Sequence, residues 1–301
     1  MILAFLAIYI SLWTCSNADE IISEQIRKGR IDFYPGVQPV LWYLEIGPWI
    51  TSPPRYDELT PRFILYGDGT LIYRVGYYDK MWRWKRMRLN EREMKEILVR
   101  VLKSGITSYD PVRVKSKGGF MVTDCPTTVI GVVLENTAGM AKVRYVKEIA
   151  IYNLKGAATD KPGDPVFKGI LDLAEFLKEY KHPEAEDYDP ETAEIIVIKV
   201  PRLRYNRKSE GHSRIREWKV KGVELDKAER RGFIGVIELK GKRLKEALKV
   251  LSLNDPPNMF RYKDRFYWIL FRPVLPMYPR AATYFPSFFS ITSEGYIRPS
   301  P

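Results

Sequence analysis

The sequence is poor in the side chains that metal binding and acid–base catalysis use most. It has two cysteines, Cys15 and Cys125, and two histidines, His182 and His212. If Cys15 is removed with a leader or carries a lipid, one thiol remains and no disulfide can form within the chain. Two histidines give little material for a zinc site or for proton transfer. The sequence therefore predicts no catalytic residue, no metal site and no cofactor.

Charged residues are absent from the first eighteen positions. An apolar run from Ile2 to Trp13 is broken only by Ser11, and the first charge is Asp19. A run of about a dozen apolar residues is too short to span a bilayer as a helix, but it fits the apolar core of an export signal. We therefore predict a signal peptide over residues 1–18. The mature protein would lie outside the cytoplasm, either secreted or anchored in a membrane through its N-terminus.

Two cleavage sites are compatible with this leader. Ser16 and Ala18 are the small residues that a general signal peptidase needs for a cut before Asp19. Alternatively, Leu12-Trp13-Thr14-Cys15 is similar to a bacterial lipobox, in which Cys15 would carry the lipid, although Trp13 and Thr14 are unusual there. A third interpretation is an uncleaved apolar N-terminus packed in a core, but the run lacks an amphipathic period.

Positive charge exceeds negative charge after the leader, and this part carries the whole net charge of +12. Residues 80–117 contain 12 Lys/Arg against 4 Asp/Glu, and residues 199–221 contain 9 against 2. Outside a cell, such surfaces meet anionic envelope polymers or lipid headgroups first, so nucleic acid is not an expected partner. Ordinary solvated faces, or the ion-pair networks typical of thermophilic proteins, would explain the same charges.

Two β-rich segments with amphipathic helices are separated by an acidic stretch bounded by prolines. We predict an N-terminal α+β domain over residues 19–181, a linker over 182–192, and a C-terminal α+β domain over 193–301 with a proline-rich tail. Runs of strands interrupted by single helices favour an α+β fold with antiparallel sheets, each carrying one or two helices. The two halves share the order strands, helix, strands, but no residue identity shows a duplication.

Local signals place most elements. Asp68-Gly69 between apolar runs predicts a hairpin, and Asn90 before an apolar stripe predicts a helix that ends at Gly105. Asp164 and Pro165 predict the start of a second helix. The other predictions are strands at 40–46, 63–66, 70–74, 82–89, 128–134, 143–154, 193–200, 215–220 and 232–239, a turn at 136–139, a loop at 156–164, a helix at 242–251, a hairpin at 260–271 that turns at Lys263-Asp264, and an irregular tail from Pro273.

Three short stretches resemble motifs of an uncharacterised group of bacterial secreted proteins and lipoproteins. They are FILYGDGTLIY at 63–73, VTDCPTTVI at 122–130 and FRPVLP at 271–276. The second is similar to a Thr-Asp-x-Pro-Thr-Thr stretch that leads into a strand, and Cys125 stands where that group usually has Ala. The resemblance implies an exported α+β protein and supplies neither an activity nor catalytic residues.

An aromatic and basic stretch is the best candidate binding site. Rings of this kind stack on sugars or bases, and neighbouring cations pair with phosphates. The alternative is a strand with its rings in the core and its cations in water. The candidate residues are Tyr77, Tyr78, Trp82, Arg83, Trp84, Lys85, Arg86 and Arg88.

Two further candidates have simpler explanations. A thiol hydrolase would need Cys125, next to Asp124, within reach of His182 or His212. The simpler interpretation is a turn before a strand, with Cys125 as a small buried side chain. Asp68 alone supplies too few oxygen ligands for calcium, so a role in the hairpin turn is favoured.

From these residues we expect an exported cell-envelope protein that acts as a non-catalytic binding or structural module. Its basic faces would contact an anionic envelope polymer, a membrane surface or another envelope protein. The alternative is an extracytoplasmic hydrolase with a carboxylate site built from distant residues. A deep pocket with convergent Asp or Glu side chains would favour that alternative.

Overall fold

The computed structural model describes most of the chain between residues 24 and 299. The described residues are 24–26, 28–47, 60–75, 83–110, 125–136, 143–200, 215–231, 234–252, 259–277, 289–291 and 297–299. The predicted signal over 1–18, with Cys15, lies outside the described residues, as does most of the predicted turn at 136–139.

Eight strands form the first sheet. They are β1 (Ile31–Phe33), β2 (Pro39–Ile46), β3 (Phe63–Tyr66), β4 (Thr70–Val75), β5 (Arg83–Arg88), β6 (Thr127–Asn136), β7 (Val143–Tyr152) and β8 (Glu186–Asp187). Their order is β1-β6-β2-β3-β4-β5-β8, and β7 pairs with the other side of β6. Strands β2 and β1 share one side of β6, end to end, while β7 follows its whole length. All pairs in this sheet are antiparallel, as predicted.

The turn between β3 and β4 confirms the predicted hairpin. Asp68 Oδ1 accepts a hydrogen bond from the Thr70 N–H at 2.9 Å, and Gly69 has a φ of +87°. A Cβ on Gly69 would lie 2.5 Å from the carbonyl oxygen of Leu89. Glycine is therefore required both by the turn conformation and by the close approach of the chain that follows β5.

Helix α1 (Glu91–Lys103) confirms the prediction from Asn90. The Asn90 side chain accepts a hydrogen bond from the Glu93 N–H at 3.0 Å, and Glu93 Oε2 accepts one from the Asn90 N–H at 2.8 Å. This reciprocal capping box fixes the first turn. Gly105 follows the helix with a φ of +74°, the conformation in which helices commonly end. The buried residues of α1 are Ile97, Leu98, Val101 and Leu102.

The predicted loop at 156–164 is wrong over its first half. Helix α2 (Leu154–Asp160) occupies it, and helix α3 (Pro165–Lys178) then begins where Asp164 and Pro165 predicted. Asn153 adopts a φ of +49°, and its side chain accepts a hydrogen bond from the Gly156 N–H at 3.1 Å. Asparagine tolerates this left-handed conformation, so the cap forms in a sequence whose glycine suggests a loop.

The helices α1, α2 and α3 cover one face of the first sheet. Side chains alternate along a strand, so the odd-numbered residues of β3 and β4 meet the helices while the even-numbered ones face the opposite side. On the helix side the core includes Leu41, Tyr43, Phe63, Leu65, Leu71, Leu98, Ile170 and Leu177. On the opposite side a smaller cluster consists of Ile64, Tyr66, Ile72, Trp84 and Leu275. The second cluster is where the candidate site lies.

Six strands form the second sheet, and one helix lies against it. They are β9 (Thr192–Lys199), β10 (Arg216–Glu217), β11 (Glu229–Arg231), β12 (Ile234–Lys240), β13 (Met259–Tyr262) and β14 (Arg265–Pro273), with helix α4 (Gly241–Ser252). The order is β10-β13-β14-β9-β12-β11, and only the short β10–β13 pair is parallel among these strands. Lys263 has a φ of +53° in the predicted β13–β14 turn. The α+β fold with antiparallel sheets is confirmed.

Two predictions in the second half need correction. The predicted strand at 215–220 is reduced to β10, because Trp218 turns inward: its Nε1 donates to the Val223 carbonyl at 3.1 Å and its ring packs edge-on against Phe260. The tail after Pro273 is not wholly irregular, since β15 (Phe289–Ile291) pairs with β16 (Ile297–Pro299). The prolines at 273 and 299 are terminal strand residues, which proline tolerates.

Candidate functional site

Strand β5 carries the described part of the predicted binding face. Arg83, Arg86 and Arg88 are exposed, and Lys85 is half-buried. The remaining ring positions of the candidate, Tyr77, Tyr78 and Trp82, lie outside the described residues, as do His212 and Asp124. The structure therefore places four of the predicted cations on one strand.

Trp84 is buried and cannot offer its ring to a ligand. It is 5% exposed and packs with Ile64, Ile72 and Leu275. The antiparallel pairing of β4 with β5 sets Trp84 opposite Arg74, and the alternation of side chains then turns the indole toward the covered face. Trp84 thus anchors the strand that presents the arginines.

The acidic stretch predicted as a linker lies against β5. Strand β8 pairs Asp187 with Lys85 and Glu186 with Arg86, and the Lys85 Nζ is 3.0 Å from Asp187 Oδ1. Because Asp187 is 73% exposed, this ion pair contributes only about 0–1 kcal/mol. The Tyr188 N–H also donates to the Trp84 carbonyl at 2.8 Å. The stretch therefore extends the first sheet; the domain boundaries themselves stay a prediction.

The chain after β14 closes the other side of this region. The Val274 N–H donates to the Thr192 carbonyl at 2.9 Å, and the Tyr66 hydroxyl donates to the Pro276 carbonyl at 2.7 Å. Between these bonds Leu275 is 3% exposed in the small cluster. Residues 274–277 therefore continue the second sheet through the bond to Thr192, and they contact the first sheet through the Tyr66 hydroxyl and the buried Leu275 side chain.

A cleft of about 850 Å³ lies where β4 and β5, the acidic stretch and residues 274–277 meet. We call it the junction cleft. Its apolar wall includes Ile72, Val274, Leu275 and Pro276. Its polar groups are Thr70, Arg86, Glu186, Asp187, Tyr188, Asp189, Glu191 and Thr192. The volume is in the range of small-molecule sites in proteins.

Negative charge dominates the junction cleft. Arg86 is the only cation among the described residues that line it, against four carboxylates. Burial raises the pKa of the Tyr188 phenol, which Arg86 partly opposes and Glu191 reinforces. Burial likewise raises the pKa of the neighbouring Tyr66. Both phenols therefore remain protonated at neutral pH, so the cleft presents a guanidinium and a Tyr188 hydroxyl as donors and exposed carboxylates as acceptors.

The thiol-hydrolase candidate is not assembled among the described residues. Cys125 is half-buried, and its N–H donates to the Tyr152 hydroxyl at 3.2 Å. His182 has different partners. Its Nε2 lies 3.4 Å from Glu93 Oε1, and its backbone N–H donates to the Tyr73 hydroxyl. No hydrogen bond joins the described Cys125 and His182, and Cys125 is half-buried where the simpler interpretation predicted a buried side chain.

Metal binding and membrane spanning find no support in the described ranges. Within those ranges no group of three or more His, Cys, Asp or Glu side chains could hold a metal ion. Asp68 instead binds the Thr70 N–H and hydroxyl within its turn. In the same part of the chain no helix is both long and apolar enough to cross a bilayer.

Comparison with protein-family models, with curated proteins and with solved structures gives no match to this chain. The resemblance of residues 63–73, 122–130 and 271–276 to a group of secreted proteins and lipoproteins therefore stays a prediction. The function has to be argued from the site itself.

The sequence did not indicate most of the cleft. Arg86 was among the candidate residues, but Tyr188, Asp189 and Glu191 were interpreted as linker. A signal was present: an acidic stretch can neutralise part of the charge of the basic stretch at 80–117 if the two pair. That opposite charge indicates neither the contact nor its register, which β8 sets through backbone pairing.

Proposed function

We propose that this chain is an exported, non-catalytic binding module of the cell envelope, with the junction cleft as its binding site. The apolar run from Ile2 to Trp13, within the predicted signal peptide over 1–18, supports a location outside the cytoplasm. The observation that carries the binding role is the cleft, whose lining combines an apolar wall with residues that can donate and accept hydrogen bonds. Such a combination is characteristic of ligand sites.

The charge balance favours a ligand that presents amine and hydroxyl groups. A polyanion entering the cleft would meet Glu186, Asp189 and Glu191, while Asp187 already pairs with Lys85. Amines and hydroxyls would instead donate to these carboxylates, with Arg86 and the Tyr188 hydroxyl available for an acceptor. The anionic polymer or membrane surface expected from the sequence has its best contacts at Arg83 and Arg88, which are exposed and do not line the cleft.

The predicted location outside the cytoplasm is tested by the intact mass of the protein from membrane and supernatant fractions of the native host. A membrane-bound chain that starts at Cys15 with acyl mass would establish a lipoprotein. A supernatant chain that starts at Asp19 would establish secretion. A full-length chain in the cytosol would contradict export.

The binding role is tested by calorimetric titration of the full chain with a glucosamine oligosaccharide as the amine-bearing probe and inorganic polyphosphate as the anionic one. We expect the triple variant Glu186→Gln/Asp189→Asn/Glu191→Gln to weaken binding of the amine probe about tenfold or more. Each substitution removes a carboxylate that can accept a charge-assisted hydrogen bond from an amine. The matched control Asp172→Asn/Glu175→Gln/Glu179→Gln removes three exposed carboxylates, two on α3 and one at the residue that follows it. Equal affinity of both triple variants would contradict the assignment of the cleft.

Titration with polyphosphate tests whether the exposed arginines of β5 bind anionic ligands. Binding that is lost in Arg83→Gln/Arg88→Gln but kept in Lys221→Gln/Lys242→Gln would assign the polyanion role to β5, since all four side chains are exposed. If neither probe binds at low salt, the proposal of a binding module for charged polymers is contradicted.

The hydrolase alternative has one observation in its favour, the presence of four acidic residues among those that line one cleft. The acid of a hydrolase site, however, commonly lies in a buried apolar environment, and all four side chains are exposed. Release of reducing ends from a glycan that disappears in Glu186→Gln/Asp189→Asn/Glu191→Gln, and not in the α3 control, would make the protein a hydrolase instead.

A further inference from the structure

Opposed residues of three neighbouring strands form the floor of the junction cleft. The pairing of β4 with β5 sets Ile72 opposite Arg86, and the pairing of β5 with β8 sets Arg86 opposite Glu186. Opposed residues of antiparallel strands point to the same face of a sheet. Ile72 belongs to the small cluster that Leu275 covers, so Arg86 and Glu186 share that face and line the cleft with it.

Arg86 and Glu186 carry opposite charges, but their side chains do not form an ion pair with each other. Neither side chain has such a partner among the described residues, whereas the adjacent pair on the same two strands, Lys85 and Asp187, closes at 3.0 Å. Both Arg86 and Glu186 are exposed. A guanidinium and a carboxylate therefore lie side by side on the floor of the cleft, each open to a ligand.

Two phenols lie close to the Arg86 guanidinium. Burial raises the pKa of the Tyr66 and Tyr188 phenols, and the positive charge of Arg86 lowers both, which places the guanidinium near the two rings. The Tyr66 hydroxyl already donates to the Pro276 carbonyl, while Tyr188 lines the cleft and packs on the small cluster. Neutral phenols do not compensate the charge of Arg86, so that charge remains for a ligand.

We propose that the junction cleft binds an aliphatic α-amino acid, whose carboxylate contacts Arg86 and whose ammonium group contacts Glu186. This inference rests on the proposed binding role of the cleft and names the class of its ligand. In an α-amino acid the two charged groups are attached to one carbon. Opposed Cβ atoms of neighbouring strands lie about 5 Å apart, so both contacts can form at once.

A ligand with a single charge fits this floor less well. An anion that pairs with Arg86 would lie against Glu186, and an amine that pairs with Glu186 would lie against the guanidinium. A zwitterion satisfies both charges, and the contact between a guanidinium and a carboxylate can be bidentate. The apolar wall of Ile72, Val274 and Pro276 then suits an aliphatic side chain, which leaves water when it packs there.

Calorimetric titration of the full chain with three matched probes tests the proposal. They are L-leucine, isoamylamine, which is leucine without its carboxylate, and isocaproate, which is leucine without its ammonium group. We expect L-leucine to bind about tenfold or more tighter than either. Equally tight binding of isoamylamine or isocaproate would overturn the proposal. If the glucosamine oligosaccharide binds and L-leucine does not, the amino-acid ligand is overturned and the proposed function stands. If none of these probes binds, both are overturned.

Two substitutions should affect these probes differently. Arg86→Gln should weaken binding of L-leucine about tenfold and leave that of isoamylamine within about threefold, whereas Glu186→Gln should weaken both about tenfold. The matched control Arg265→Gln changes an exposed arginine of β14 that does not line the cleft, and it should alter no affinity. With circular dichroism unchanged, an equal effect of Arg86→Gln on L-leucine and isoamylamine, or an equal effect of Arg265→Gln and Arg86→Gln on L-leucine, would overturn the proposal.

Discussion

Arg272 and Glu194 face each other inside the second sheet, at paired positions of β14 and β9. The Arg272 Nη1 is 3.4 Å from Glu194 Oε2, and each side chain is 3% exposed. Taking both side chains out of water is costly, and the attraction between their opposite charges offsets part of that cost.

Removal of one of these two ions should destabilise the fold strongly. We expect Glu194→Leu to lower the free energy of unfolding by about 3–5 kcal/mol, because it leaves a buried guanidinium without its carboxylate. Urea denaturation at pH 7 measures this value. Glu194→Leu/Arg272→Leu should recover much of the loss, since leucines need no counter-charge. A double variant as unstable as the single one would show that packing, and not charge, dominates.

Gly131 should not tolerate a side chain. A Cβ at this position would lie 1.9 Å from Trp42 Cε2, on the neighbouring strand β2. The indole cannot move away without losing its hydrogen bond to Glu148. We expect Gly131→Ala to cost about 1–3 kcal/mol in urea denaturation. Gly163→Ala is the control, since nothing lies within 4 Å of its Cβ position; a similar cost for both would argue against the clash.

Leu275 should couple the two sheets. We expect Leu275→Ala to lower the stability by about 2–5 kcal/mol, because it leaves a cavity among Ile64, Ile72 and Trp84. Calorimetry should then show unfolding at a lower temperature and a broader transition than in wild type. Met277→Ala, at a residue that is 64% exposed, should change little. An unchanged transition in Leu275→Ala would contradict the coupling.

Tyr180 should make the stability fall at alkaline pH. Its ring packs edge-on against Phe63, Tyr73 and Phe176, and burial, with smaller effects of Glu93 and Tyr73, raises its pKa from 10.0 to about 12. A raised pKa stabilises the fold fully below pH 10, and this contribution is lost as the pH rises through 12. At pH 11 about 1 kcal/mol should be gone.

Denaturation at pH 9 and pH 11 measures this loss as the difference between wild type and Tyr180→Phe. The variant lacks the titrating hydroxyl, so its stability should fall less over the same interval. Tyr145→Phe, at an exposed position, controls for general alkaline effects. Parallel curves for wild type and Tyr180→Phe would contradict the assignment to Tyr180.

The elements that the sequence predicted correctly are those with local causes. The capping residues of α1, the Asp-Gly turn before β4 and the β13–β14 turn are each decided within a few residues. Helix α2 was missed because its cap depends on the left-handed conformation of Asn153, which the pattern of Gly, Pro and Asp conceals. The inward turn of Trp218 was missed because it depends on a ring contact with Phe260 and a hydrogen bond to the Val223 carbonyl, which the alternating pattern does not indicate.

The cleft depends on contacts between parts of the chain that are distant in sequence. Trp84 alternates with basic residues, and nothing nearby tells which face of β5 is covered. The face that carries Trp84 is covered by Leu275, which follows β14 of the second sheet. The docking of β8 on β5 likewise joins segments that no local pattern connects. Tertiary contacts of this kind decide burial, so the basic residues were predictable and the cleft was not.

The place of β6 in the first sheet sets the order in which the molecule can be built. Among the described strands, β1 pairs only with the end of β6, which is synthesised on the order of a hundred residues later. Strand β2 waits for the same partner on one side, while β3 and β4 can pair as soon as they emerge. Strands β1 and β2 therefore lack this partner until residue 136 has been made, so the stable structure of this part of the first sheet comes late.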